Sequence, residues 1–405
     1  MDPTGTRVRR CAIVFLEPRE AVTFDLGSLL EGGAGLQGTL SWQALAPHLD
    51  GEVEVDVAER EILGAVGDTL WMDKEVLCAS YPQVAVESLL GKGLLVTDED
   101  ALQYDLHRQR DESLRAQHWR PLSAVAHAFS RWEDVNAGEA ARASGMKTIR
   151  EMVEKLGATP PQFHERVAPE ARVALRVPEK TGLDDLLSRR VTCRNFDETR
   201  AVDATTFSCV LHRVFGAQAQ WEAAPESFVV KKTSPSGGGL HPTEAYLVVR
   251  NVEGIAPGLY HYHAGDHALE PIDLAAAGTL DERALRFVAG QHWFADAPVQ
   301  VVLAPRFRRS FWKYRNHAKA YRALILDAGH LSQTLYLTAT EFGLGAFITS
   351  AINEIEIEKA FGLDPLEEGP LAVCGFGWRG AVRDTVEFDP LNAVWPQPVD
   401  SGSGY

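Results

Sequence analysis

Three short apolar runs and one long apolar helix constrain this chain more than any other feature. "AYLVVR" (245–250), "VQVVLAP" (299–305) and "LAVCGFG" (371–377) are rich in β-formers and nearly uncharged, which predicts buried strands. Ala320 to Thr340 reads as one helix that is apolar over most of its circumference, so it belongs in a core or against a second subunit. It ends in "FGLGAF", glycines at a C-cap. A strand-like "AFITSA" and the helix "EIEIEKAFGL" follow. From about residue 181 onward helices alternate with apolar strands, the pattern of an α+β or mixed-sheet core.

The first part of the chain has a different character. Residues 7–16 read as a strand, and "TLWMDKEVLC" as another. "SYPQVAVESLLGKGLLVTDED" reads as a helix from Pro82, ended by Gly91 or Gly93, then a short strand "GLLVTD". This order describes a winged-helix-like module, a type that binds DNA or, by strand addition, peptides. Charge disfavours DNA: 40 Lys and Arg against 56 Asp and Glu leave a net −16, whereas nucleic-acid affinity needs a basic surface. Residues 104–155 are charged and amphipathic, with "HWRPLSAVAHAFSRWEDV" a helix pair. "LGATPPQFHERVAPEARVALRVPEKTG" carries prolines and little periodicity, so it reads as a linker or a surface arm. The expected organisation is a winged-helix-like peptide-engaging or scaffold domain with a helical linker over 1–160, and a second domain over 181–395. The tail "VDSGSGY" is expected to be disordered.

At 405 residues, 45% of them hydrophobic, the chain has material for real cores. No segment holds 18 uncharged apolar residues, and the N-terminal apolar run is too short for a signal peptide, so no membrane association is expected. The five cysteines are scattered and never spaced as CxxC. They read as buried free thiols of a cytoplasmic protein, without a disulfide framework or a metal site.

Two stretches carry chemistry. In "LLSRRVTCRNFD" a helix ends near Ser188 and Arg190, Thr192 and Arg194 then alternate. On an extended segment they share one face, and two guanidinium groups with a hydroxyl suit a phosphate. In "TSPSGGGLHPTEAYLVVR" three glycines precede a His-Pro and a strand. That is either a mobile loop or a backbone that must turn tightly or lie against a flat or anionic group.

"RRVTCRNFD", "SPSGGGLHPTEAYLVV", "YRALILDAGHLSQTLYLTATEFGLGAF" and "EEGPLAVCGFG", in that order, resemble the nitroreductase-like flavoproteins, and within them the SagB-type dehydrogenases of ribosomal-peptide maturation. The resemblance covers about residues 181–390. It implies an α+β fold with an FMN-binding mixed sheet flanked by helices, and a homodimer that buries the flavin between subunits. By position it places Arg190 and Thr192 at the FMN phosphate and Arg194 beside the flavin pyrimidine. Ser236, Gly237, Gly238, Gly239 and His241 would line the ring, and Ser350 and Ala351 would offer it backbone N–H groups. Arg379, with Arg383 as the alternative, would be a second phosphate ligand. Azoline-oxidising relatives carry a Lys-Tyr pair before the long helix. Lys313-Tyr314 supplies one here, but about two residues further upstream than expected, which leaves Lys319 and Tyr321 as rivals for the acid–base role. The function implied is an FMN-dependent dehydrogenase acting on a modified precursor peptide, oxidising an azoline to an azole, with a cyclase or other maturation enzymes as partners. Two alternatives stand beside it: a flavin-dependent reductase of dehydroamino acids or small nitro or quinone compounds, and a flavin-free scaffold presenting peptide to a cyclising partner.

Overall fold

The computed structural model describes residues 5–146, 148–274 and 277–395; the tail "VDSGSGY" lies outside them. Contacts divide the chain into two compact units. One holds the described residues up to Arg131 together with Phe307–Tyr321 and Pro365–Glu367. The other holds Trp132–Arg306, Arg322–Asp364 and the described residues from Glu368. The division therefore falls ahead of the proline-bearing stretch and not within it. Helix Ala137–Ala143 goes with the second unit, where Ala137 N donates to Ala289 O at 2.9 Å.

The second unit is built on a six-stranded sheet in the order Ala268–Asp273, Gly258–His263, Thr243–Val249, Val299–Pro305, Ala372–Gly377, Gly345–Thr349. The five ladders are antiparallel, and Thr192 adds a parallel bridge to Ala346 at the last strand, which makes the sheet mixed. Along Thr243–Val249 the side chains alternate between two cores. Ala245, Leu247 and Val249 pack with Phe207, Leu211 and Leu335, from helices Ala204–Phe215 and Ala320–Glu341. Tyr246 and Val248 pack with Phe287, Phe294, Ile357 and Phe361, from helices Ala277–Phe287, His292–Ala295 and Glu354–Phe361. A strand covered on both faces gains from every apolar residue, which is why Ala245–Val249 runs without a charged residue.

The long helix Ala320–Glu341 is buried along one face in its first half, at Leu324, Asp327 and Ala328, and on more sides in its second. Leu331, Leu335, Tyr336 and Ala339 are buried, while Ile325 and Leu326, earlier on, are 52% and 57% exposed. Residues 157–181 hold only a 3-10 turn at Pro169–Ala171, and their alternating Val173, Leu175 and Val177 are almost wholly exposed.

In the first unit a small antiparallel sheet places Arg7–Arg10 between Met72–Asp73 and Leu95–Thr97. Helices Val57–Ala65, Lys74–Ser80 and Gln83–Gly91 bury Ile62, Leu63, Leu77, Val86 and Leu89 with Val8. This is a winged-helix-like arrangement whose middle strand comes from the N-terminus. Two expectations are corrected here. The strand expected over 7–16 stops at Arg10, because Ala12 N turns to donate to the buried Asp111 carboxylate at 2.5 Å; a new strand, Phe15–Phe24, then pairs with Leu36–Leu45 as a hairpin. In "TLWMDKEVLC" the expected strand is cut to Met72–Asp73 and the second half is helix, because the Asp73 side chain accepts from Glu75 N and caps Lys74–Ser80.

Candidate active site

The basic segment leaves helix Gly182–Arg189 and runs extended alongside the last strand of the sheet. Val191 and Cys193 turn inward, and Arg190, Thr192 and Arg194 take the other side, as their spacing predicts. The Arg190 guanidinium lies over the Tyr336 ring at 5.4 Å, and Thr192 Oγ1 is 3.0 Å from Tyr336 Oη. Burial raises the Tyr336 phenol's pKa, with the Thr192 bond opposing, so it stays protonated. Arg190 has no carboxylate partner among the described residues. It keeps its charge available for an anion.

Arg194 and Arg379 are held differently. Arg194 lies 6.0 Å from the Trp293 ring centroid and donates from Nη1 to Val386 O at 3.2 Å. Arg379 donates to Glu387 Oε2 at 2.6 Å and to Val191 O at 2.8 Å. The Glu387 side chain is fully buried and accepts five hydrogen bonds: three on Oε1, from Arg194 N, Asn195 N and Asn195 Nδ2, and two on Oε2, from Arg379 Nη1 and Trp395 Nε1. The Arg379 charge is thus largely cancelled. Arg383 is not: its Nη1 is buried and finds no hydrogen-bond partner among the described residues. A buried orphan donor calls for an acceptor, so of the two arginines Arg383 fits an incoming phosphate better. Sequence reading missed Glu387, because nothing local marks a carboxylate whose partners lie up to 193 positions away.

The glycine stretch forms a tight turn, Gly237–Gly239, against the long helix. Gly238 and Gly239 have φ of 66° and 70°, where glycine has no steric cost. A Cβ on Gly237 would come 3.0 Å from Ala323 Cβ, so that glycine permits close approach to the helix. Ser234 and Ser236 follow the helix face: Ser234 Oγ meets Thr334 Oγ1 at 2.6 Å, and Ser236 Oγ donates to Asp327 Oδ2 at 2.5 Å. The loop and the exposed hairpin Ala219–Ala224/Ser227–Lys231 enclose an open cleft of about 390 Å³, lined among others by Trp221, Lys232, Ser236, Gly239 and His241. It combines an aromatic face, a buried lysine and bare backbone, a set that can take a flat polar ring.

At the remaining positions, Ala351 N donates to Thr349 Oγ1 at 3.2 Å and Ala351 O accepts from Gln291 Nε2 at 2.9 Å. Ser350 is exposed at the end of strand Gly345–Thr349. Lys313, Tyr314, Lys319 and Tyr321 all fall in the first unit. Lys313 Nζ lies 5.6 Å from the Tyr314 ring centroid. Tyr321 is tied up: His127 Nε2 must donate to Pro365 O at 2.8 Å, so Nδ1 is left to accept from Tyr321 Oη at 3.0 Å. Burial lowers the His127 pKa to about 4, which keeps it neutral and a weak base. Lys319 is exposed and its backbone N donates to His317 Nδ1. The five cysteines are free, and burial pushes the Cys193 thiol up to about 12.

Residues 187–378 match the nitroreductase family model. The chain is 31% identical over 144 residues to the trifolitoxin-processing protein TfxB of Rhizobium leguminosarum bv. trifolii, covering 35% of this chain and 38% of that protein. It is 28% identical over 161 residues to the microcin B17-processing protein McbC of Escherichia coli, covering 38% and 57% respectively. In both cases the match spans less than two thirds of the relative's length. Among solved structures, the E. coli microcin synthetase McbBCD complex with truncated pro-MccB17 bound is similar at a TM-score of 0.45 and 20% identity, over 70% of this chain and 99% of that one.

Proposed function

From the nitroreductase-family domain that residues 187–378 form, we propose that this protein is an FMN-dependent oxidoreductase acting on a modified residue of a ribosomally made precursor peptide, with oxidation of an azoline ring to an azole as its reaction. The observation that carries the reading is the coincidence, inside one nitroreductase domain, of the Arg190–Thr192–Arg194 segment with the tightly turned loop Ser236–His241. The peptide assignment is supported by two relatives whose names attach them to trifolitoxin and microcin B17 processing.

Arg190, Thr192 and Arg383 would hold the phosphate and Arg194 the electron-rich edge of the ring, with the glycine loop along its face and Ser350 and Ala351 at its far side. The Ala351 N–H would have to exchange its bond to Thr349 for one to the cofactor. Bound there, FMN supplies two-electron redox chemistry that no amino-acid side chain offers. The chain's own task is then to orient the peptide and remove a proton from it. Lys313-Tyr314 is our first choice for that proton, because the two side chains lie together, with Lys313 Nζ 5.6 Å from the Tyr314 ring centroid, and the Tyr321 hydroxyl is already spent on His127. The first unit, winged-helix-like and in an acidic chain, suits peptide better than nucleic acid. A homodimer would cover the exposed row Val173, Leu175 and Val177 and the outer residues Ile325 and Leu326 of the long helix. Purification with flavin analysis tests the whole. A yellow dimer by light scattering, releasing FMN on denaturation and removing two hydrogens from an azoline-bearing peptide, is expected. A colourless protein sinks the reading.

A further inference from the structure

The glycine loop is gripped from outside by a single carboxylate. Asp327, 4% exposed on the long helix, accepts from Ser236 Oγ on Oδ2 at 2.5 Å and from Gly237 N on Oδ1 at 2.9 Å. Ser236 Oγ in turn accepts from His241 N at 2.9 Å, so the hold reaches the other end of the loop. Between these anchors the backbone is in costly territory: after Gly238 and Gly239, His241 sits at φ 45°, where a residue with a side chain needs support from its surroundings. Asp327 is the only acid in "ALILDAGHL", whose one other polar side chain is His330, and a carboxylate is expensive to bury unless it is paired. Both of its oxygens meet neutral donors of this one loop, which is where its cost is offset. Both hydrogen bonds to its carboxylate cross from the helix to the loop, while His330, on the same helix, adds only a charge interaction.

We propose that Asp327 is a positioning residue for the cofactor: it holds Ser236–His241 in the flavin-binding shape, so that flavin affinity is set in part from the long helix. This rests on the FMN reading above. Without the carboxylate, Gly237 N and Ser236 Oγ lose their acceptors. The loop then samples other turns, which three glycines make readily accessible, and the flavin must reorder it on binding.

The test uses the full chain stripped of flavin. The FMN dissociation constant is measured by flavin fluorescence, and amide hydrogen exchange is followed separately in the loop (234–242) and in the second half of the long helix (331–341). Asp327→Ala is expected to raise the FMN Kd at least about 10-fold and to speed exchange in the loop while leaving the helix protected. Asp327→Asn, which keeps the volume and one acceptor, is expected to fall between, and it stands in if the alanine variant does not fold. A variant Kd within about twofold of wild type, or a rise accompanied by equally faster exchange over 331–341, overturns the proposal. A wild-type chain that binds no FMN overturns instead the reading on which it rests.

Discussion

Glu387 gives the most demanding test of how the basic segment is held. Its buried carboxylate accepts two backbone and three side-chain donors, one of them the Arg379 guanidinium. Glu387→Ala would strand all five. Breaking a buried ion pair from one side costs about 3–5 kcal/mol, and each further buried donor left alone about 1–3 kcal/mol before relaxation. Allowing for water entering the gap, a loss of at least about 4 kcal/mol is expected. Glu387→Gln keeps an oxygen for Arg194 N and the two Asn195 donors but turns an NH2 toward Arg379 Nη1 and Trp395 Nε1. Donor then faces donor, at about 2–4 kcal/mol. Urea unfolding followed by tryptophan fluorescence gives the order wild type, Gln, Ala, and thermal melts should drop by roughly 10 °C or more for alanine. Phe388→Ser, at the exposed neighbouring position, should stay within about 0.5 kcal/mol. If Gln and Ala both lie within about 1 kcal/mol of wild type, the network does not contribute as described.

Three further outcomes are expected. Arg190→Ala and Arg383→Ala should each purify with markedly less flavin, having lost a charge-assisted bond of about 1.5–3 kcal/mol, whereas Arg379→Ala should act mainly on stability; full flavin occupancy in both of the first two removes the phosphate assignment. Tyr314→Phe should keep its flavin and slow peptide turnover by at least about 100-fold, and near-normal turnover would move the base elsewhere. Glu368, half-buried, has its pKa raised from 4.5 to about 7 by burial, so the folded state holds that proton more tightly than the unfolded chain. Its share of stability is present below about pH 4.5 and is lost as pH rises through 7. Glu368→Gln should therefore gain about 1–2 kcal/mol on wild type between pH 5 and 8 in urea titrations, and parallel pH profiles would contradict this.

What could be read from the sequence follows from where the physical signal is local. Ala320–Glu341 and the strands Thr243–Val249, Val299–Pro305 and Ala372–Gly377 declare themselves because burial makes them dense in apolar residues. The hairpin Phe15–Phe24/Leu36–Leu45 does not: nearly all of its first strand is exposed, "EPRE" interrupts it, and no apolar alternation is required of it. Helix Lys74–Ser80 was hidden because "LWM" ahead of Asp73 suggests a strand, and only the cap reveals the helix. In the site, the alternation of Arg190, Thr192 and Arg194 and the glycine turn are local and legible. Glu387 and Asp327 act on partners about 90 to 190 residues away, and single-sequence periodicity carries nothing about such pairings.

The central claim is flavin-dependent oxidation of a peptide. The most direct measurement is anaerobic mixing of the purified full chain with an azoline-bearing precursor peptide, with the flavin's visible absorbance and the peptide mass followed together. The account predicts bleaching of the yellow colour, with one ring losing two hydrogens for each flavin reduced. A flavin-loaded protein that neither bleaches nor changes the peptide mass, across azoline peptides carrying both sulfur and oxygen rings, would contradict it.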